Sequence, residues 1–265
     1  MNEHRLINFL LRSFVVLVLI FIFMPIAGSF VFSFNIDRFP SLPLGGFSLH
    51  WYETIASDPA VWQSFRNSLT VGVVVSLVST LLGFTAAYTD FRYQFFGKSI
   101  YMALALLPPT IPVVIMGLAM LAFLSRIGLS GEIYAVMISH IVMCAPFAMA
   151  VIRMRLAQMD PNIEAAAWNL GANQWKAMRY VILPFTAPSI FAALFVTMAV
   201  SFDEFAVAWF VSGLNETVPV RILNTLQGQV SPTINAIGTI VFITTMTLVI
   251  LAQLLLMRRR KPASA

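Results

Sequence analysis

The chain has 265 residues, 59% of them hydrophobic and only 10% charged, with a formal net charge of +5 and a mean hydropathy of +0.86. Soluble domains carry about 25% charged residues, so this composition excludes an ordinary water-soluble globule and points to a polytopic membrane protein. The sole cysteine, Cys144, rules out an internal disulfide, and His4, His50 and His140 fall in separate segments without metal-ligand spacing.

A membrane-crossing helix needs about 20 mostly apolar residues. Six stretches qualify, at roughly 13–34, 67–89, 100–124, 133–153, 187–211 and 233–257. The first follows Arg5 and Arg12 as a signal peptide would, yet it exceeds the ~7–15-residue core of such peptides and reads as an uncleaved span. The segment 35–66 carries proline and glycine turn signals. Its Trp51, Tyr52 and Trp62 suit a membrane–water interface. The third stretch contains Pro108, Pro109 and Pro112. Each proline removes a donor and crowds the preceding turn, so a kink is expected, for packing or for gating. The predicted architecture is all-α, a single domain over 1–265 with six transmembrane helices.

Lysine and arginine mark the cytoplasmic side of a membrane protein. With the N-terminus inside, Arg5, Arg12, Arg92, Lys98, Arg153, Arg155, Lys176, Arg179 and the basic run 258–261 lie in inner segments, twelve of the sixteen basic residues. Arg38, Arg66, Arg126 and Arg221 lie outside. Both termini are therefore predicted to be cytoplasmic. Topology accounts for the basic charge, and no nucleic-acid partner is expected.

The inner segment 154–184 is neither a tight turn nor a plain linker. Asp160 suits an N-cap, Pro161 a first helical position, and Glu164, Ala165, Ala166 and Ala167 favour helix. Gly171 suits the left-handed position that ends a helix. Asn173 can cap a second helix with Trp175, Met178 and Ile182 on one apolar face, which Pro184 is expected to close before the next span. Such an element either receives a cytoplasmic partner on its small side chains or lies at the interface as an amphipathic loop.

Asp203 and Glu204 stand about 15 residues into the fifth span, roughly 20–25 Å from its inner end. Two central carboxylates cost at most about 5–7 kcal/mol. The eleven Leu, Ile, Phe and Val residues between 188 and 211 return about 3–7 kcal/mol. The sums nearly cancel, so both acids cannot face lipid. Adjacent helical residues point ~100° apart, which gives the two carboxylates different surroundings.

In the inner segment, Glu164, Ala165 and Ala166, then Gly171, then Val181, Ile182, Leu183 and Pro184 resemble the EAA loop of ATP-binding-cassette importer permeases. Nine residues separate Gly171 from Val181 as in that family, although Val replaces Ile. Glu164 stands seven before Gly171 rather than the usual six, so Ala165 occupies the customary glutamate position. The likeness extends over all six spans. The stretches SFDEFAVAWFVSG and SPTINAIGTI further resemble the second permease subunit of spermidine/putrescine importers.

The resemblance implies a type I importer permease fold in a bacterial inner membrane. It also implies a second permease subunit, a pair of ATPase subunits that carry ATP and Mg²⁺, and a periplasmic solute-binding protein, with lipid around the spans. Glu164, Ala165, Ala166, Ala167 and Gly171 would then form the ATPase-coupling contact. No cofactor is expected on this chain. Its nearest approach to a phosphate loop is Gly97, Lys98 and Ser99, where Arg92 stands in place of the required glycine.

For an amine substrate, Asp203 or Glu204 would supply the attracting charge. Trp209 and Phe202 are candidates for cation–π contact. The alternative places the acids in a gate, as a helix cap, or against an arginine of the partner. Other small solutes, amino-acid derivatives or organophosphonates, fit the same architecture. An ion-coupled carrier working alone would use the acids as a relay, but no internal repeat is evident. A membrane-embedded enzyme would need clustered catalytic groups that the pattern lacks.

Overall fold

The computed structural model describes residues 3–39, 42–160, 162–228 and 232–257; Pro161 and the basic run 258–261 lie outside them. Among the described residues the regular structure is helical, apart from one isolated antiparallel bridge between Asn35 and Phe47. The chain divides into two units, one made of Met1–Val61 with Ile222–Phe242, the other of Trp62–Arg221 with Ile243–Ala265.

In the first unit, helix α1 (Glu3–Phe32) begins earlier than the predicted span. None of its residues from 6 to 32 is buried, as suits a helix apolar on all sides. The following loop folds back on itself. Ile36 N–H donates to the Gly46 carbonyl at 3.1 Å, Ser48 N–H to that of Phe34 at 2.8 Å, and the Phe34 and Phe47 rings stack 5.1 Å apart. Helix α2 (His50–Ser57) fastens this loop: Trp51 Nε1 donates to the Asn35 carbonyl at 2.6 Å, and the Tyr52 and Ser33 hydroxyls lie 2.8 Å apart. Trp51 and Tyr52 thus serve the loop, whereas Trp62 remains exposed.

The second unit is built around α3 (Pro59–Arg92), α6 (Ile133–Leu156) and α9 (Leu183–Asp203). Small residues bring them together. Ala192, Ala193, Thr197 and Ser201 of α9 are buried, and a side chain added at Gly83 of α3 would stand 2.6 Å from both the Ala148 Cβ and the Met149 nitrogen of α6. Close backbone approach is how helices gain contact where lipid supplies no hydrophobic drive. Buried hydroxyls turn back on their own helices: Thr186 Oγ1 donates to the Ile182 carbonyl and Thr197 Oγ1 to that of Ala193, each at 2.7 Å.

Two predicted spans take a different course. The third is broken rather than kinked, into α4 (Lys98–Leu106), a 3₁₀ turn over Pro108–Thr110 and α5 (Val113–Arg126). Three prolines in five positions remove too many donors for one helix to bend around them. The turn is closed instead by Thr110 N–H to Leu107 at 2.9 Å and Ile111 N–H to Pro108 at 3.2 Å. Among the described residues, five helices are thus long and apolar enough to cross a membrane, and α5 of this interrupted stretch is a shorter apolar helix.

Pro184, in contrast, does not end the helix before it. Helix α8 (Gln174–Ala177) passes through a π turn over Met178–Ile182 directly into α9, a 30-residue run over Gln174–Asp203. The wider π turn lets the chain pass a proline that would otherwise crowd the carbonyl four residues back. Helices α10 (Ala206–Val211), α11 (Val218–Gly228) and α12 (Thr233–Met257) complete the chain.

Replacing Gly83 with Val should force α3 and α6 apart and cost about 1–3 kcal/mol. A lowered melting temperature of the purified protein would show it, and an unchanged one would contradict the close approach.

Candidate coupling and translocation sites

Helix α7 (Asn162–Asn169) carries the EAA residues. Asp160 Oδ1 accepts the Asn162 N–H at 2.9 Å at its start. At its end Gly171 adopts φ +82°, with Gly171 N–H donating to Trp168 and Ala172 N–H to Ala167. That pair of bonds is the Schellman closure. Asn173 Oδ1 then accepts the Lys176 N–H at 2.9 Å and opens α8.

Ala165 and Ala166 face outward and Ala167 is half-buried. Leu170, Trp175 and Tyr180, further along the same loop, are exposed as well. Met178 and Ile182 turn inward as expected, but Trp175 is 82% exposed and leaves that apolar face.

Glu164 departs from the outward contact group. It is 5% exposed and points back into the chain, where Arg92 Nε lies 3.0 Å from Oε2 and 3.1 Å from Oε1. The Arg92 guanidinium also lies 4.6 Å from the centre of the Trp168 ring. Two residues earlier on α3, buried Asp90 accepts from Arg153 of α6 at 2.6 Å and lies 3.3 Å from Lys98 Nζ of α4. Lys98 also donates to the Asp90 and Tyr93 carbonyls. The last turn of α3 is therefore a charged node that holds α4, α6 and α7.

At the other end of the long helix, α9 stops at Asp203. Glu204 is extended (φ −73°, ψ 117°) and α10 starts at Ala206, so the predicted fifth span is not one helix. The two acids separate at the break. Glu204 Oε1 accepts the Val207 N–H at 3.0 Å, supplying a partner to a donor at the start of α10. Asp203 is exposed, and its Oδ1 accepts from Thr245 of α12 at 2.8 Å. Phe205 and Trp209 are 47% and 44% exposed and stand one helical turn apart, the Trp209 N–H donating to the Phe205 carbonyl. Phe202, the other aromatic candidate, is buried. Below the break, His140 Nδ1 of α6 lies 3.0 Å from Ser201 Oγ, tying the last turn of α9 to the core.

Residues 79–262 match the family described as binding-protein-dependent transport system inner membrane component. The chain belongs to this family. It is similar to the spermidine/putrescine transport system permease protein PotC of Haemophilus influenzae, with 30% identity covering 93% of this chain and 96% of the relative. A putative 2-aminoethylphosphonate transport system permease protein, PhnV of Salmonella typhimurium, is 29% identical over 79% of each chain. The fold matches the crystal structure of a bacterial ABC transporter involved in alginate import, with TM-score 0.74, 17% identity and 98% of each chain covered. The protein is an inner-membrane permease subunit of an ABC importer, a transport component and not an enzyme.

In this permease the EAA residues and the acid pair occupy opposite ends of one continuous helix system, from the α7–α8 corner to the α9–α10 break. Sequence reasoning missed the charged partners Arg92, Asp90 and Arg153, and Thr245 beside Asp203. The basic residues were visible but read as topology signals, and nothing local pairs groups 63 or 72 positions apart.

Replacing Asp90 with Asn should leave Arg153 and Lys98 without their carboxylate. Because the Arg153 side chain is half exposed, water recovers part of the loss, and about 1–3 kcal/mol of stability should disappear. Thermal melting of the detergent-purified permease complex measures this directly.

Proposed function

We propose that this permease carries polyamines of the spermidine or putrescine kind. The carrying observation is the end of the Gln174–Asp203 helix at an exposed carboxylate. The last carbonyls of a helix present partial negative charge, and here they adjoin Asp203 rather than a cation. An interrupted helix of this polarity attracts an ammonium group and repels a phosphonate. The exposed faces of Phe205 and Trp209 add cation–π surface. In this reading Asp203 contacts the amine and Glu204 holds the break open as the cap of α10. The near-complete overlap with PotC supports polyamines over aminoethylphosphonate, whose permease overlaps less of the chain.

The permease pairs with a second permease subunit. A periplasmic binding protein delivers the solute, and two ATPase subunits holding ATP and Mg²⁺ supply the energy. The outward faces of Ala165 and Ala166, with half-buried Ala167 and the Gly171 corner, receive the ATPase: small side chains let another backbone approach closely, and exposed Leu170 and Trp175 supply apolar contact. The lysine and arginine distribution supports a bacterial inner membrane protein with both termini in the cytoplasm.

The complete transporter in liposomes, offered putrescine, spermidine and 2-aminoethylphosphonate with the purified binding protein, tests the substrate class; accumulation of phosphonate without polyamine would overturn it. In the same assay Asp203→Asn should slow polyamine uptake about tenfold at saturating binding protein. ATP hydrolysis should continue, and Glu204→Gln, which keeps an acceptor for the Val207 N–H, should have a smaller effect. Wild-type uptake by both variants at normal expression would refute amine contact, and parallel loss of hydrolysis and uptake would make Asp203 a gate.

A further inference from the structure

An importer of this architecture needs its coupling helix held in one rotational setting, because a turn of that helix about its own axis would exchange the surfaces shown to the ATPase. Helix α7 has eight residues and little to hold it intrinsically. Its exposed positions, Ile163, Ala165, Ala166 and Trp168, offer no buried apolar stripe. Glu164 is its buried residue; its carboxylate pairs with Arg92 at 3.0 Å and accepts more loosely from the Tyr88 hydroxyl at 3.5 Å.

We propose that Glu164 and Arg92 are positioning residues for energy coupling: their ion pair sets the rotation of α7 and makes α3, as well as α9, an output of ATPase movement. The inference rests on the ABC-permease reading and on the cytoplasmic placement of α7. One guanidinium nitrogen bridges both carboxylate oxygens, at 3.0 and 3.1 Å. The same guanidinium covers the Trp168 ring, four residues further along α7 and so one turn away on the same side. A carboxylate and an aromatic on one face, both directed at a single arginine, resist rotation of α7 in either sense.

The position of Glu164 within the motif fits this role. A carboxylate one residue later, at Ala165, would be rotated by about 100° to the side that is exposed. The displacement therefore moves the charge from an outward contact to an inward anchor. A carboxylate this buried requires its cation; without one it is a desolvated charge.

On the other side of the pair, Arg92 ends a helix whose preceding turn is fixed by Asp90 to Arg153 of α6 and Lys98 of α4. A displacement of α7 therefore reaches α3 and its neighbours through ionic contacts. It reaches α9 through the covalent run from Asn173. Gln174 Nε2 donating to the Tyr93 hydroxyl at 3.0 Å adds a further link from the start of α8 to the same corner.

The test uses the assembled transporter with both permeases, the ATPases and the liganded binding protein. Glu164→Gln and Arg92→Gln should each lower binding-protein-stimulated ATP hydrolysis and uptake by about tenfold. The ATPase should still co-purify in full amount, and the half-saturating concentration of binding protein should not move. The double variant should be no worse than the more affected single variant, since the two residues act as one unit. Trp168→Leu, which leaves the pair but removes the ring, should give a smaller loss.

Loss of the ATPase from the Glu164→Gln complex would overturn the proposal, by making Glu164 a direct contact. So would wild-type coupling in Arg92→Gln, or additive losses in the double variant. If a single variant fails to assemble, the double variant should restore assembly by removing the stranded charge; continued failure would also count against the pair. A wild-type complex without stimulated hydrolysis would instead reject the ABC-permease reading itself.

Discussion

Inside hydrocarbon an unpaired N–H or C=O finds no water, so each helix interruption must carry its own replacement partners. Three such interruptions organise this permease. At Pro108–Thr110 the chain falls back on bonds to the third preceding residue. At Met178–Ile182 it widens into a π turn and continues past Pro184. After Asp203 it opens altogether, and the Glu204 carboxylate meets the Val207 N–H that the opening leaves free. The first divides a membrane span, the second preserves a long helix, and the third leaves Asp203 exposed at a helix end.

The second interruption keeps one long helix continuous past a proline. A helix of 30 residues extends about 45 Å, longer than the roughly 30 Å hydrocarbon core of a bilayer. It begins at the Asn173 cap beside the α7–α8 corner and ends at Asp203. Helical structure is unbroken between that corner and the acid. The charged node at the end of α3 supplies the complementary restraint, binding α4, α6 and α7 through two carboxylates and three basic side chains.

The two adjacent acids show how backbone geometry divides residues of the same charge. In a continuous helix they would differ in direction alone. With the helix opened between them, Asp203 stays on the end of α9 beside Thr245, while Glu204 belongs electrostatically to α10. Their carboxylates cease to compete for one environment. Asp203 stays exposed, with the exposed rings of Phe205 and Trp209 on the segment that follows it.

Much was legible in the linear order because the physics involved is short-ranged. Hydropathy over about 20 residues marks membrane helices, and the observed α6 and α12 keep their predicted starts at Ile133 and Thr233. Caps act within three residues, so Asp160, Gly171 and Asn173 behave as their types and spacing imply. The three prolines announced a disturbance in the third span, though not that it would be a complete break.

Other features depend on neighbours that chain order does not display. Whether Pro184 stops a helix or is accommodated by a π turn depends on the packing of Ile182 and Thr186 into the core. Whether Glu164 faces out or in depends on where folding delivers Arg92, 72 positions away, and Asp203 meets Thr245 across 42. Composition and local pattern thus established a helical membrane protein with a capped loop between spans and an acid pair, and the resemblance of that loop supplied the permease family. The assignment of each charge to its partner emerged with helix packing, because electrostatic contacts are set by distance in space and not by separation along the chain.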